Sequence, residues 1–219
     1  MWFFLWIVLS AFLLGIFFWQ SQILWQQKKA WSAFAKNNSL QYIPGKFSES
    51  PRVSGKVGRH HISLFSDSRM TADMRSQRFM TVVEIVLGCK MPAGGVVSTI
   101  GMKPFVDTLI FHEDIKPEAE GWAEENIIRT DNEAMMKAYL TLPRLKVLQS
   151  VFSMKGANVI FLFDKEAVAL RIETADPLHN TERVDKIIKQ FLRVADKLTV
   201  DKDEYAALKG LVHVDSDAG

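Results

Sequence analysis

From Trp2 to Trp19 the chain carries no charge and nothing more polar than Ser10. A helix over that run rises about 27 Å at 1.5 Å per residue, close to the thickness of a bilayer's hydrocarbon core. A buried core helix of a globular domain is usually shorter or shows a polar face. A cleaved secretory signal needs a basic start, a shorter apolar core and a small-residue cleavage site. No Lys or Arg precedes this run, and Ser21-Gln22-Ile23 is a poor substitute for an Ala-x-Ala site. Residues 1–25 therefore read as a retained transmembrane anchor.

Trp2, Trp6, Trp19 and Trp25 flank the run, where an amphipathic indole prefers the headgroup region. Lys28, Lys29 and Lys36 follow it, and basic flanks stay on the cytoplasmic side. The expected topology is single-pass, with the N-terminus outside and everything after the anchor in the cytoplasm. The lone cysteine, Cys89, agrees with a reducing compartment. Ala11 and Gly15 place small side chains four apart on one helix face. That spacing suits either pairing of two anchors into a homo-oligomer or ordinary lipid-facing positions.

The remaining residues suffice for one domain with its own core. Residues 26–38 continue the helical pattern as a juxtamembrane amphipathic helix, with Ala30, Trp31, Phe34 and Ala35 on one face, until Asn37-Asn38-Ser39 breaks it. Trp19, Trp25, Lys28, Lys29, Trp31 and Lys36 are the residues expected to face the membrane. Residues 39–200 read as an α+β domain with a mainly antiparallel sheet covered by helices, and 201–219 as a short helix and a flexible tail.

Strands are expected at 40–43, at 52–57 and 60–65 about Gly58-Arg59, and at 79–87, whose β-branched content suits the middle of a sheet. Residues 67–77, with Met70 and Met74, read as a mobile loop. A turn at Gly94-Gly95 leads to a strand at 96–100. The stretch 103–125 is hard to read, with a short strand at 108–111 and acids Glu118, Glu120, Glu124 and Glu125 around Trp122. A strand at 127–129 leads to Thr130-Asp131-Asn132-Glu133, which has capping-box spacing for a helix at 133–140. A helix at 144–152 follows Pro143, with Leu145, Leu148, Val151 and Phe152 inward. Strands at 158–163 and 167–173 form a hairpin. The clearest amphipathic helix spans 182–198, its apolar stripe running through Val184, Ile187, Ile188, Phe191, Val194, Ala195 and Leu198.

Thr130-Asp131 before a helix, Ala138-Tyr139-Leu140-Thr141-Leu142-Pro143 leading to Leu145-Lys146-Val147-Leu148, then a hairpin and a closing helix, resemble a family of uncharacterised membrane-anchored bacterial proteins. The likeness covers residues 105–198. It implies this architecture and a bacterial inner-membrane address, with one membrane segment where that family commonly has two. That family has no established activity, so the resemblance implies no chemistry.

The residues themselves suggest little catalysis. His60 and His61 are adjacent on a strand and so point to opposite faces. No carboxylate or thiol recurs at ligand spacing around them or around His112, His179 and His213. His112-Glu113-Asp114 is as well explained by loop polarity as by acid–base chemistry. Cys89 beside Lys90 is either a thiol of lowered pKa or a small buried hydrophobe. Gly-x-Ser-x-Gly, Walker and Rossmann patterns are absent, so no catalytic, cofactor or metal residue is assigned.

The charge is lopsided. The chain is +2 overall, but residues 20–90 hold eleven basic residues against four acids, a balance of +7 that leaves −5 elsewhere. An anionic leaflet attracts such a segment by at most about 1 kcal/mol per cation. A solvated sheet with scattered cations has the same composition, and no nucleic-acid-binding motif is present. Two functions remain: a non-enzymatic interaction or scaffold domain at the cytoplasmic membrane face, with lipid and a protein as partners, or a membrane-associated enzyme or small-ligand or lipid binder. A cavity with converging polar groups would favour the second.

Overall fold

The computed structural model describes residues 2–46, 48–70, 77–111, 113–117 and 119–216, with the backbone alone at 69–70, 77–78 and 213–216. Met74, His112, Glu118, the His213 side chain and the end of the tail lie outside what is described.

Helix α1, Trp2–Asn37, is one uninterrupted helix. Its residues 2–20 are exposed along every face, and its apolar window is long enough to cross a membrane, with none of it buried in the protein. Its last three turns are different: Gln27, Ala30, Trp31, Phe34 and Ala35 are buried in the domain. The helix stops in a Schellman closure. Ser39 sits at φ 55°, its N–H bonds the Lys36 carbonyl, and the Leu40 N–H bonds the Ala35 carbonyl at 2.9 Å.

Nine strands form one sheet: β1 Gln41–Ile43, β2 Arg52–Val57, β3 His60–Met70, β4 Gln77–Val86, β5 Gly95–Ser98, β6 Glu113–Asp114, β7 Ile127–Thr130, β8 Ala157–Phe163 and β9 Val168–Thr174. Their order is β1-β2-β3-β4-β9-β8-β5-β7-β6, and every pairing is antiparallel. β2 and β3 turn tightly at Gly58, whose φ of 60° is the left-handed value a two-residue hairpin demands. At the β8–β9 turn, Asp164 accepts the N–H groups of Glu166 and Ala167.

Side chains alternate across the sheet, and the two faces have different coverings. Leu64, Val83, Ile172 and Val159, level with one another in the register, join the main core under α1, α3 (Glu133–Tyr139), α4 (Leu142–Phe152), α5 (Thr181–Leu198) and α6 (Lys202–Ser216). On the other face Val96 and Ile160 meet Met102 and Val106, from a 3-10 turn, Ile100–Met102, and the short helix α2, Lys103–Val106. This is the α+β architecture expected.

Four local readings are corrected. Residues 67–70 and 77 are strand, because β3 and β4 pair out to Met70↔Gln77. No strand forms at 108–111; the strand in that region is Glu113–Asp114, preceded by α2. Thr130 is not the helix cap, since its hydroxyl bonds the Gly94 carbonyl, and Asn132 caps α3 by accepting the Met135 N–H at 2.7 Å. α6 runs on to Ser216, so 215–216 are helix and not tail.

α5 fulfils its pattern, with Val184, Ile188, Phe191, Val194, Ala195 and Leu198 all buried and Asn180 capping its N-terminus. Phe191→Asp places an unpaired charge in the core and should destabilise the detergent-solubilised chain by about 4 kcal/mol or more. Lys189→Asp loses the exposed pair with Asp185 and should cost only about 0.5–1 kcal/mol. Thermal melts of the two variants check this; equal melting would mean the stripe is not buried.

Candidate membrane-proximal site

The site worth building is the junction where α1 enters the domain. Gln27 and Trp31 are four residues apart and so lie on one face of α1. Gln27 is buried, donates its Nε2 to the Pro177 carbonyl at 2.9 Å, and accepts the Ser50 hydroxyl on Oε1 at 3.2 Å. Trp31 is fully buried and donates Nε1 to the next carbonyl, that of Leu178, at 3.1 Å. The turn offering these two carbonyls is strained: Leu178 has φ 50°, a conformation that usually falls to glycine or asparagine. It is held by its N–H on Asp176 Oδ1 and by Asp176 pairing with Arg183 of α5.

On its other side α1 meets the first strand. The Tyr42 hydroxyl donates to the Lys28 carbonyl at 3.2 Å, and Lys28 Nζ to the Lys46 carbonyl at 2.6 Å. Lys29 is exposed and stacks over Trp25 at 5.6 Å. Trp19 and Trp25 are both well exposed, at 68% and 64%.

One of the six residues expected at the membrane is corrected. Trp31 is not a lipid wedge, because it fills the core beneath the sheet. Lys36 is exposed, but in the last turn of α1, roughly 26 Å along the helix from Trp19. The basic segment is also split. Lys28, Lys29, Lys46 and Arg52 surround the α1 junction, whereas Arg59, at the β2–β3 turn, pairs with Asp196 of α5 at 2.9 Å.

Elsewhere Tyr139, Arg144 and His60 are buried polar groups that fasten helices. Tyr139 donates its hydroxyl to the Leu198 carbonyl at 2.6 Å, and burial pushes its pKa far up. Arg144 lies 4.2 Å over the Tyr139 ring, donates to the Lys197 and Thr199 carbonyls that end α5, and forks onto Glu204 of α6. These residues cap one helix and fasten another. The Cys89 thiol beside them is pushed up by burial, the reverse of an activated nucleophile. His60 is buried and bonds Asp196 through Nε2 at 3.1 Å; His61 and His179 are exposed. The Asp196 carboxyl is held below its usual range by His60 and Arg59.

An open cleft of about 580 Å³ lies between the 3-10 turn and α4, with Asn126, Gln149, Ser150 and Asn158 in its wall. Glu125 is the one titratable residue in its wall; a second open cleft, of about 720 Å³, lies at the start of α5 and is lined by His179, Glu182, Arg183 and Lys186. Among the described residues no group of three or more His, Cys, Asp or Glu could hold a metal ion. Sequence reading missed Gln27, Tyr42, Pro177 and Leu178, because a single glutamine and a turn carry no pattern linking residues 150 positions apart. No family model, curated protein or solved structure matches this chain.

If the junction is built on these hydrogen bonds, Trp31→Phe, which keeps most of the ring volume but strands the Leu178 carbonyl, should cost about 1–3 kcal/mol. Trp31→Ala should cost about 3–5 kcal/mol, and Lys29→Ala within about 0.5 kcal/mol. Denaturant unfolding of the three variants in detergent provides the comparison.

Proposed function

We propose that this chain is a single-pass membrane protein whose α+β domain is held, without a flexible linker, against the cytoplasmic face of a bacterial inner membrane. There it serves as a non-enzymatic interaction or scaffold module. The observation that carries the reading is the continuity of α1, exposed and apolar in its first part and built into the domain core in its last. From Trp19 to Gln27 is roughly 12 Å of helix, about one and a half to two times the depth of a headgroup layer. The domain would therefore ride directly under the lipid.

The same continuity supports retention of the apolar segment. Cleavage near 21–23 would cut a helix whose next turns are core, which is unlike the extended, small-residue site a signal peptidase uses. Lys28, Lys29, Lys46 and Arg52 all lie on the domain side of the apolar run, which supports a cytoplasmic domain by the positive-inside rule. The resemblance of residues 105–198 supports the bacterial address. The scaffold role is supported by Tyr139 and Arg144, buried polar groups that are engaged in fastening α5 and α6.

Topology is testable with C-terminal fusions to two reporters, a phosphatase active only outside the cytoplasm and a fluorescent protein that matures only inside. The expected result is fluorescence without phosphatase activity, on a chain of full length that resists alkaline extraction from membranes. Phosphatase activity, or a chain shortened by the mass of residues 1–22, would contradict the reading.

A further inference from the structure

The cleft beside the 3-10 turn is walled by that turn, the start of β8, the loop at 121–126 and the end of α4, and these four segments are tied together. Thr99 joins the first two: its N–H donates to the Val159 carbonyl at 3.0 Å, and its hydroxyl oxygen accepts the Val159 N–H at 3.0 Å. Gln149 of α4 donates Nε2 to the Glu120 carbonyl at 3.3 Å, and Phe152 meets Trp122 at 5.8 Å between ring centroids, so α4 holds the start of the loop. Gly101 backs so closely on Asn158 that a Cβ there would overlap its side-chain amide. At about 580 Å³ the cleft falls within the range of small-molecule sites, about 300–1,000 Å³.

Its polar groups are left mostly as acceptors. Ser150 and Ser153 donate their hydroxyls to the carbonyls of Val147 at 2.6 Å and of Ser150 at 3.4 Å, so lone pairs are what they have left. Gln149, with Nε2 engaged, keeps Oε1. Glu125 is exposed and has no ion pair among the described residues. Asn126 and Asn158 are half-buried, and among the described residues their side-chain amides bond no other group, so each still offers donors and an acceptor. No Lys, Arg or His among the described residues stands in the wall. A phosphate or carboxylate would meet Glu125 with no cation to receive it, whereas a ligand rich in hydroxyl or ammonium protons finds acceptors on several sides.

The rest of the wall is largely apolar, with Ile100, 50% exposed for all its aliphatic surface, and Phe152. A pyranose ring has the matching two-sided chemistry, hydroxyls around its edge and C–H groups on its faces. We propose that this cleft binds an amino sugar. Its ammonium pairs with Glu125, its ring hydroxyls bond the amides of Asn126 and Asn158 and Oε1 of Gln149, and one C–H face lies on Ile100 and Phe152. A simple diamine would pair with Glu125 and leave both amides without partners, and a neutral hexose would cover the carboxylate without a counter-charge. Such binding needs neither the membrane helix nor the scaffold role, so it stands or falls apart from them.

The test titrates the full chain, in a detergent without a sugar headgroup, with glucosamine, glucose and putrescine, and follows binding by saturation-transfer NMR at a mildly acidic pH that keeps the amines protonated. The expected result is saturable binding of glucosamine, with glucose and putrescine each weaker by about tenfold or more. Glu125→Gln should weaken glucosamine binding by about tenfold or more, as loss of a charged hydrogen bond does, and leave the thermal melt unchanged because Glu125 is exposed and unpaired. Asn126→Ala and Asn158→Ala, each checked by its melt, should also weaken it. No saturable signal with glucosamine overturns the site. Glucose bound as tightly as glucosamine, or binding indifferent to Glu125→Gln, overturns the pairing of ammonium with carboxylate. Putrescine bound as tightly as glucosamine, or binding indifferent to whichever asparagine variant keeps its fold, overturns recognition of the sugar.

Discussion

The architecture depends on two hydrogen bonds between one face of α1 and the successive carbonyls of Pro177 and Leu178. Buried peptide carbonyls left unpaired are costly, and the turn that presents them already bears a left-handed leucine. Gln27 and Trp31 satisfy the carbonyls, and burial of the whole indole in the main core supplies the apolar gain that makes the strained turn tolerable. Because the donors sit on the same helix as the apolar run, satisfying the turn also sets the position of that run. The domain is joined to its helix by packing rather than by a linker.

The rest of the molecule follows from that junction. α1 lies on the sheet face that α5 also covers, against α5 and the edge strands β1 and β2. The opposite end of the sheet holds the polar clusters, Arg59 with Asp196 and His60, and Arg144 with Tyr139 and Glu204, which end or fasten helices.

Where a single face is buried, the sequence was readable. The α5 stripe, the β2–β3 and β8–β9 hairpins and the strand at 79–87 all repeat at the period of their element, and each formed close to where the period puts it. Trp31 was misread for a physical reason: the stripe of Ala30, Trp31, Phe34 and Ala35 looks the same whether it meets lipid or protein, and only the partner 147 residues away decides. Asp67 to Met70 looked like loop because Asp67, Ser68 and Arg69 are consecutive polar residues with no apolar alternation to detect. Thr130 matched the capping spacing, but its hydroxyl was taken by the Gly94 carbonyl across the sheet, so the cap moved to Asn132. The candidate site was legible in its cations and interfacial tryptophans and hidden in its hydrogen bonds, which join residues far apart in the chain.

Hydrogen exchange on the full chain in lipid nanodiscs, followed by mass spectrometry over residues 16–37, tests the central claim most directly. An unbroken helix running from bilayer to core predicts continuous protection through Gln22, Trp25 and Lys28, reaching that of the buried α5 residues by Trp31 and Phe34. Rapid exchange over 21–28 between two protected stretches would reveal a flexible linker, and would contradict a domain positioned by its membrane helix.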